Sequence, residues 1–194
     1  MKRAHYFLTL ILSFICIFGA SAQDHSIRFQ NGTLTVSPLQ DNAVRIRYIE
    51  GEAAELPEWL YVENDDKVSC KKSSKGDVTI LRLKGLTLTA DNGSGRIEVA
   101  DSRGVKVFSA LAHELKAGTI QGEPTKQAKL VIDSPADEYL YGLGQFQDGY
   151  LNVRGLTRRL TQVNTQISIP FLLSSKGYGL LWNNYGLTDF NPAE

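Results

Sequence analysis

Apolar and polar residues alternate with a period of two along much of this chain. Leu34, Val36 and Pro38 alternate with Thr33, Thr35 and Ser37; Val44, Ile46 and Tyr48 alternate with Arg45 and Arg47; Leu86, Leu88 and Ala90 alternate with Thr87 and Thr89. Successive side chains of a strand point to opposite faces, so each run predicts a strand with one face in a core and one in water. Turn residues separate the runs. Asp91-Asn92-Gly93-Ser94-Gly95 is a loop signal, because Asn and Gly tolerate positive φ. Ile97 and Val99 then form a returning strand, Asp101-Ser102-Arg103-Gly104 the next turn, and Val105, Val107 and Phe108 the strand after it. Between Val78-Thr79-Ile80 and Leu81-Arg82-Leu83 the alternation changes phase, which fits either a bulge or a strand covered on both faces. Ser109 to Lys116 reads as one short helix, Gly122-Glu123-Pro124-Thr125-Lys126 as a loop, and Leu130-Val131-Ile132 as strand again. Many short strands with few helices predict an all-β fold, an antiparallel β-sandwich.

The first residues depart from this pattern. Lys2 and Arg3 precede a mostly apolar run from Tyr6 to Phe18, and Ala20-Ser21-Ala22 supplies small residues at a cleavage position. A run of about 13 residues has the length of a signal-peptide core and is too short for a membrane span. The expectation is a signal peptide over residues 1–22 and a mature domain over residues 23–194, exported to the periplasm or secreted, with no membrane attachment after cleavage; an uncleaved anchor is the alternative. Cleavage leaves 194 − 22 = 172 residues, enough for one domain with a sizeable core. Removing Lys2 and Arg3 from the 21 basic residues leaves 19 against 21 acidic, a net charge of −2. That balance argues against nucleic acid or an anionic membrane as the main partner. Cys70 is then the only cysteine, so no internal disulfide forms, and it reads as a small strand residue.

Candidate chemistry is sparse. Gly142-Leu143-Gly144 follows a strand, but a dinucleotide fingerprint needs a third glycine where Gln147 stands, then a helix. The two glycines instead predict a sharp turn at the end of a Tyr139–Tyr141 strand. His25, His113 and Cys70 have no metal-ligand spacing, and no Gly-x-Ser-x-Gly turn holds a nucleophile, so no metal, no cofactor and no catalytic residue is assigned. Asp137, Glu138, Asp148, Asp189 and Glu194 read as solvated loop or strand-end carboxylates. Arg154, Arg158, Arg159 and Lys176 form a modest basic group, either solvated or suited to an anionic glycan. Aromatics gather late, at Phe146, Tyr150, Phe171, Tyr178, Trp182, Tyr185 and Phe190, and Tyr178 and Trp182 share a strand face; core or domain-interface roles are favoured for them over a free carbohydrate platform, although sugar rings stack on such faces.

One segment carries a family resemblance. It reads Glu-Tyr-Leu-Tyr-Gly-Leu-Gly-Gln at Glu138–Gln145, Ser-Ile-Pro-Phe-Leu-Leu-Ser at Ser168–Ser174, Lys-Gly-Tyr-Gly-Leu-Leu-Trp-Asn-Asn at Lys176–Asn184, and Asp-Phe-Asn-Pro at Asp189–Pro192. This set resembles the N-terminal β-domain of glycoside hydrolase family 31, the family of α-glucosidases and α-xylosidases. The resemblance implies a galactose-mutarotase-like sandwich and, for the parent enzyme, hydrolysis of α-linked glucosides or xylosides with retention of configuration. That reaction uses two carboxylates about 5 Å apart. In the family they lie on a (β/α)8 barrel that follows this domain, so neither is expected here. The implied partners are an α-linked oligosaccharide or polysaccharide and the barrel. In the family a loop from this region helps shape the substrate cleft. It corresponds to Leu160–Gln166, whose neutral Gln162, Asn164 and Gln166 suit sugar hydroxyls as donors and acceptors and are the substrate-binding candidates. Family members often carry acidic or aromatic residues there. Two other roles stay open: a stand-alone carbohydrate-binding module, or a structural buttress for a separate catalytic chain, marked by an exposed apolar patch.

Overall fold

The computed structural model describes residues 24–52, 59–60 and 68–191. The expected signal peptide, residues 1–22, lies outside the described residues, as does Glu194. Three antiparallel strands open the domain: β1 (His25–Phe29), β2 (Gly32–Gln40) and β3 (Ala43–Ile49). A six-stranded antiparallel sheet follows in chain order: β4 (Lys71–Lys75), β5 (Val78–Arg82), β6 (Leu86–Asp91), β7 (Arg96–Asp101), β8 (Lys106–Ile120) and β9 (Glu123–Ile132). The last strands are β10 (Leu140–Gln145), β11 (Arg158–Leu160), β12 (Ile167–Ser174), β13 (Gly179–Leu181) and β14 (Thr188–Phe190). They form a sheet in the order β10-β12-β13 and a separate β11-β14 pair, both antiparallel.

The period-two pattern builds the first core. Ile27, Phe29, Leu34 and Val36 of the first sheet meet Leu81, Leu86, Leu88, Ala90, Ile97 and Ala110 of the six-stranded sheet, the inner faces of a sandwich. A second core joins Leu140, Leu143, Val153 and Leu172, with Phe146, Leu160 and Phe190 packed against it. Cys70 sits just before β4 at the margin of the first core, where burial pushes its thiol pKa up.

Three local expectations are corrected. Ser109–Lys116 is strand within β8, not helix. Its helix-favouring composition yields to pairing with β9 at Ala110 and from Ala112 to Lys116, and with β7 at Ser109 and Ala110; the alternation changes phase at Ser109 and Ala110, both buried, beside a register shift between Ala110 and Ala112. Gly122–Lys126 is not a loop: only Gln121 and Gly122, both at positive φ, make the turn, and Pro124 already pairs with Thr119. Proline is tolerated there because β9 is the edge of its sheet. Gly142 and Gly144 do not end a strand; β10 continues through them. Of the two readings of Val78–Leu83, coverage on both faces holds. Thr79 and Leu81 are buried, Val78 and Ile80 are half-buried, and neither neighbour of β5 shifts register.

The passage of β10 through its glycines follows from how closely it approaches β12. From Gly142↔Leu172 to Gly144↔Ser168, two steps on β10 face four on β12. Gly142 and Gly144 have φ of 107° and 104°. A Cβ on Gly144 would lie 2.0 Å from the Ile167 carbonyl oxygen, and one on Gly142 would lie 2.4 Å from that of Phe171. Between them Leu143, at φ 66°, turns its side chain into the second core.

A buried carboxyl fastens the start of this sheet. Glu138 was expected in solvent, but it is 2% exposed. It accepts a hydrogen bond from the Ser174 hydroxyl, which itself accepts one from Lys176 N at 2.9 Å. Burial and the adjacent Glu138 carboxyl raise the Tyr178 phenol pKa. The Tyr178 ring meets Phe108 of β8 edge-on at 5.3 Å, and Phe108 packs on the first core. One polar cluster thus ties the two cores together.

His113 of β8 stacks on Phe29 at 5.0 Å and meets Tyr48 edge-on at 4.3 Å. Burial lowers its pKa despite the opposing charge of Glu50. Burial and a 2.8 Å hydrogen bond donated to Glu50 push the Tyr48 phenol up to about 12.

Three outcomes follow. In urea denaturation, Gly144→Ala should cost roughly 2–4 kcal/mol, because backbone strain and a main-chain collision add. Gly149→Ala, at φ 76° with nothing within 4 Å of the new Cβ, should cost only the left-handed backbone strain, roughly 1–2 kcal/mol. Glu138→Ala should cost about 1–3 kcal/mol by leaving the buried Ser174 hydroxyl without its acceptor, and Glu138→Gln, which keeps an acceptor, clearly less. For His113 the folded pKa lies below the unfolded value, so its contribution is complete above that value and is lost as pH falls through it toward the folded pKa. Unfolding midpoints measured from pH 7 down to pH 5 should therefore fall less steeply in His113→Phe.

Candidate functional site

The loop between β11 and β12 folds on itself. Val163 and Gln166 exchange both backbone hydrogen bonds at 3.2 Å, leaving Asn164 and Thr165 at the tip. The Gln162 amide oxygen accepts from Ser168 N at 3.0 Å. The Gln166 amide nitrogen donates to the Thr161 carbonyl at 2.9 Å, and the Ser168 hydroxyl donates to the same carbonyl at 2.6 Å. The loop therefore brings Gln162, Asn164 and Gln166 together, but it uses half of each glutamine amide to hold its own shape. Asn164 stands exposed at the tip, and Gln166 is half-buried.

This loop runs directly into an apolar surface that the alternation alone did not single out. Ile167, Ile169, Phe171 and Leu173 of β12 and Leu181 of β13 are between 40% and 50% exposed. Phe171 pairs directly with Leu181, and its ring lies over Gly179, where a Cβ would come within 2.8 Å of it. An open depression of about 370 Å³ lies between the β10 glycines and Ile167, Ile169 and Phe171, with Gln145 at its rim. The signal was present in the sequence. Ser168, Pro170, Leu172 and Ser174 occupy the inner face of β12 while the larger residues occupy the outer one, the reverse of a strand with a watered face. A surface of this kind can seat another apolar surface; it carries no acid, base or nucleophile.

The charged candidates resolve into structural pairs. Arg159 grips Asp189 through two hydrogen bonds of 2.8 and 2.9 Å, directly across the β11-β14 pair, and holds its carboxyl below the usual range. Lys176 reaches Asp137 at 2.6 Å and lowers that carboxyl likewise. Arg158 pairs with Asp148 and lies over the Phe146 ring at 5.0 Å. Arg154 donates to the Ser134 carbonyl at 3.1 Å. The basic group is thus neither a shared patch nor free in solvent. Asp148, Asp189 and Asp137 pair with Arg158, Arg159 and Lys176, Arg154 is held by Ser134, and Glu138 is buried. Among the described residues no group of three His, Cys, Asp or Glu side chains could hold a metal ion.

Comparison with known proteins agrees with this architecture. Residues 33–191 match the family model described as the glycosyl hydrolase 31 N-terminal galactose mutarotase-like domain. The alpha-xylosidase of Saccharolobus solfataricus is 32% identical over 172 residues, covering 83% of this chain and 23% of that protein. Among solved structures, the GH31 alpha-xylosidase of Xanthomonas citri superposes with a TM-score of 0.77 at 26% identity, covering 88% of this chain and 19% of that one. A GH31 alpha-xylosidase from a soil metagenome, solved with xylose, gives 0.73 at 26% identity, over 88% of this chain and 28% of that one. The chain therefore spans less than a third of the length of each of these three relatives. With an all-β antiparallel sandwich and a match over most of its length, the chain belongs to the N-terminal galactose mutarotase-like domain family of glycosyl hydrolase 31.

Proposed function

We propose that this chain is the non-catalytic N-terminal part of an exported, retaining α-glycosidase of the α-xylosidase or α-glucosidase type. In this reading the apolar face of β12 and β13 seats a (β/α)8 barrel. The Thr161–Gln166 loop, continuous with that face, borders the cleft where an α-linked oligosaccharide or polysaccharide binds. The observation that carries the reading is the row Ile167, Ile169, Phe171 and Leu173, a contiguous apolar strip on the outside of a folded domain. Family membership supports it, and so does the pairing or burial of the described acids considered above. At the cleft, Asn164 is an outward polar group of the loop, and Gln162 and Gln166 keep one amide atom each for a sugar hydroxyl.

Two measurements test this. The purified chain should show no turnover of aryl α-xylosides or α-glucosides; turnover would refute a non-catalytic role. The isolated chain should also bind the apolar dye ANS, and Ile169→Lys with Leu173→Lys should cut that emission several-fold without lowering the urea midpoint. Unchanged emission would remove the docking face.

A further inference from the structure

A second exposed surface has a different chemistry. Trp59, from the connection between β3 and β4, lies against Tyr185, from the connection between β13 and β14, with ring centroids 6.0 Å apart and planes inclined at 37°. The contact joins segments 185 − 59 = 126 residues apart. Yet Trp59 remains 77% exposed and Tyr185 54%. Rings that met only to fill a core would be covered, so this pair keeps most of its aromatic surface available to something outside the domain.

The setting of the pair points to a neutral, hydroxyl-rich ligand. On the Tyr185 side, Leu181–Leu187 carries no charged side chain, and Asn184 beside Tyr185 is an exposed amide. The backbone beneath Tyr185 is held in place. Trp182 N donates to the Pro170 carbonyl at 2.8 Å, Asn184 N to the Trp182 carbonyl at 2.9 Å, and Gly186 N to the Asn184 side-chain oxygen at 2.8 Å. The tyrosine is thus positioned before any ligand arrives, which reduces the ordering cost of binding. Large apolar ring faces beside an uncharged amide and a phenol suit a pyranose, whose ring has an apolar face and a rim of hydroxyls. They offer no cation to hold an anion.

We infer that Trp59 and Tyr185 form a carbohydrate-stacking platform, separate from the Thr161–Gln166 loop, that holds one or two sugar units of a neutral oligosaccharide. The choice of an α-linked saccharide as its ligand rests on the glycosidase reading above; the platform itself rests on the aromatic pair. It would hold a polysaccharide chain against the domain outside the cleft and raise its local concentration.

The chain contains two tryptophans, Trp59 and Trp182. Trp182→Phe therefore leaves Trp59 as the sole indole reporter. In that background, xyloglucan oligosaccharides or maltotetraose should shift or quench the emission saturably at millimolar concentrations. Tyr185→Ala should weaken the affinity at least tenfold, and calorimetry on Trp59→Ala in the otherwise native chain should show a similar loss. Circular dichroism establishes that each variant is folded. An emission unmoved by every saccharide overturns the platform and points to a protein surface at this pair. Binding that persists in both alanine variants also overturns it. Neither result touches the dye-binding test of the β12 face, so the two readings fail separately.

Discussion

The close approach of β10 to β12 is the constraint on which the second half of the domain depends. Two β-carbons are forbidden there by main-chain oxygens, and three consecutive residues, Gly142, Leu143 and Gly144, take positive φ. Leucine in that region carries a backbone strain of order 1–3 kcal/mol. It persists because the side chain is rewarded with burial in the second core beside Leu140, Val153 and Leu172. The same irregularity lets β12 advance four steps where β10 advances two. The depression beneath Ile167, Ile169 and Phe171 lies at this irregularity. The apolar face and the glycine pair are therefore two aspects of one local geometry.

The Glu138 cluster extends that geometry to the rest of the molecule. A buried carboxyl is costly unless its oxygens are hydrogen-bonded. Ser174 supplies a donor, and the Tyr178 phenol, with its raised pKa, keeps its proton beside the same carboxyl. Because Tyr178 also packs on Phe108, the register of the β12-β13 hairpin is coupled to β8 of the six-stranded sheet. On the other side, Arg159 and Asp189 are direct cross-strand partners, an arrangement that favours one register of β11 and β14. Both ends of the Thr161–Gln166 loop thus leave from strands whose pairing is specified.

Much of the sandwich was legible from alternation, because one watered face and one buried face leave a period of two. Leu34, Val36, Leu86 and Leu88 all lie where that period places them. The failures have particular causes. In β8 the alternation changes phase beside the register shift at Ala110–Ala112, and the Ala, Leu, Glu and Lys residues there favour helix when read locally. At Pro124 the rule that proline breaks strands is weak at an edge. The burial of Glu138 depends on Ser174 and Tyr178, 36 and 40 residues away, and no local signal distinguishes it from Asp137. The loop candidates were found as a group, but the inward turn of the Gln162 and Gln166 amides depends on Thr161 and Ser168 and is visible only in three dimensions.

That inward turn bears on how such a loop can discriminate. A loop whose amides already hold its backbone presents a fixed contour and a small number of outward polar atoms. Discrimination by contour rests on steric fit, worth only about 1–3 kcal/mol for one extra or missing carbon centre in a pocket. Discrimination by polar groups is steeper, because a mismatch leaves a buried donor or acceptor unpaired. If the loop borders a cleft as proposed, its exposed polar side chains are Gln162, Asn164 and Thr165, with no acid between Leu160 and Gln166, and with one Gln162 amide atom already engaged it would shape a boundary more than read individual hydroxyls. Under the proposed glycosidase reading, selection between a glucosyl and a xylosyl unit, which differ by one hydroxymethyl group, would depend mainly on whether that boundary leaves room for it.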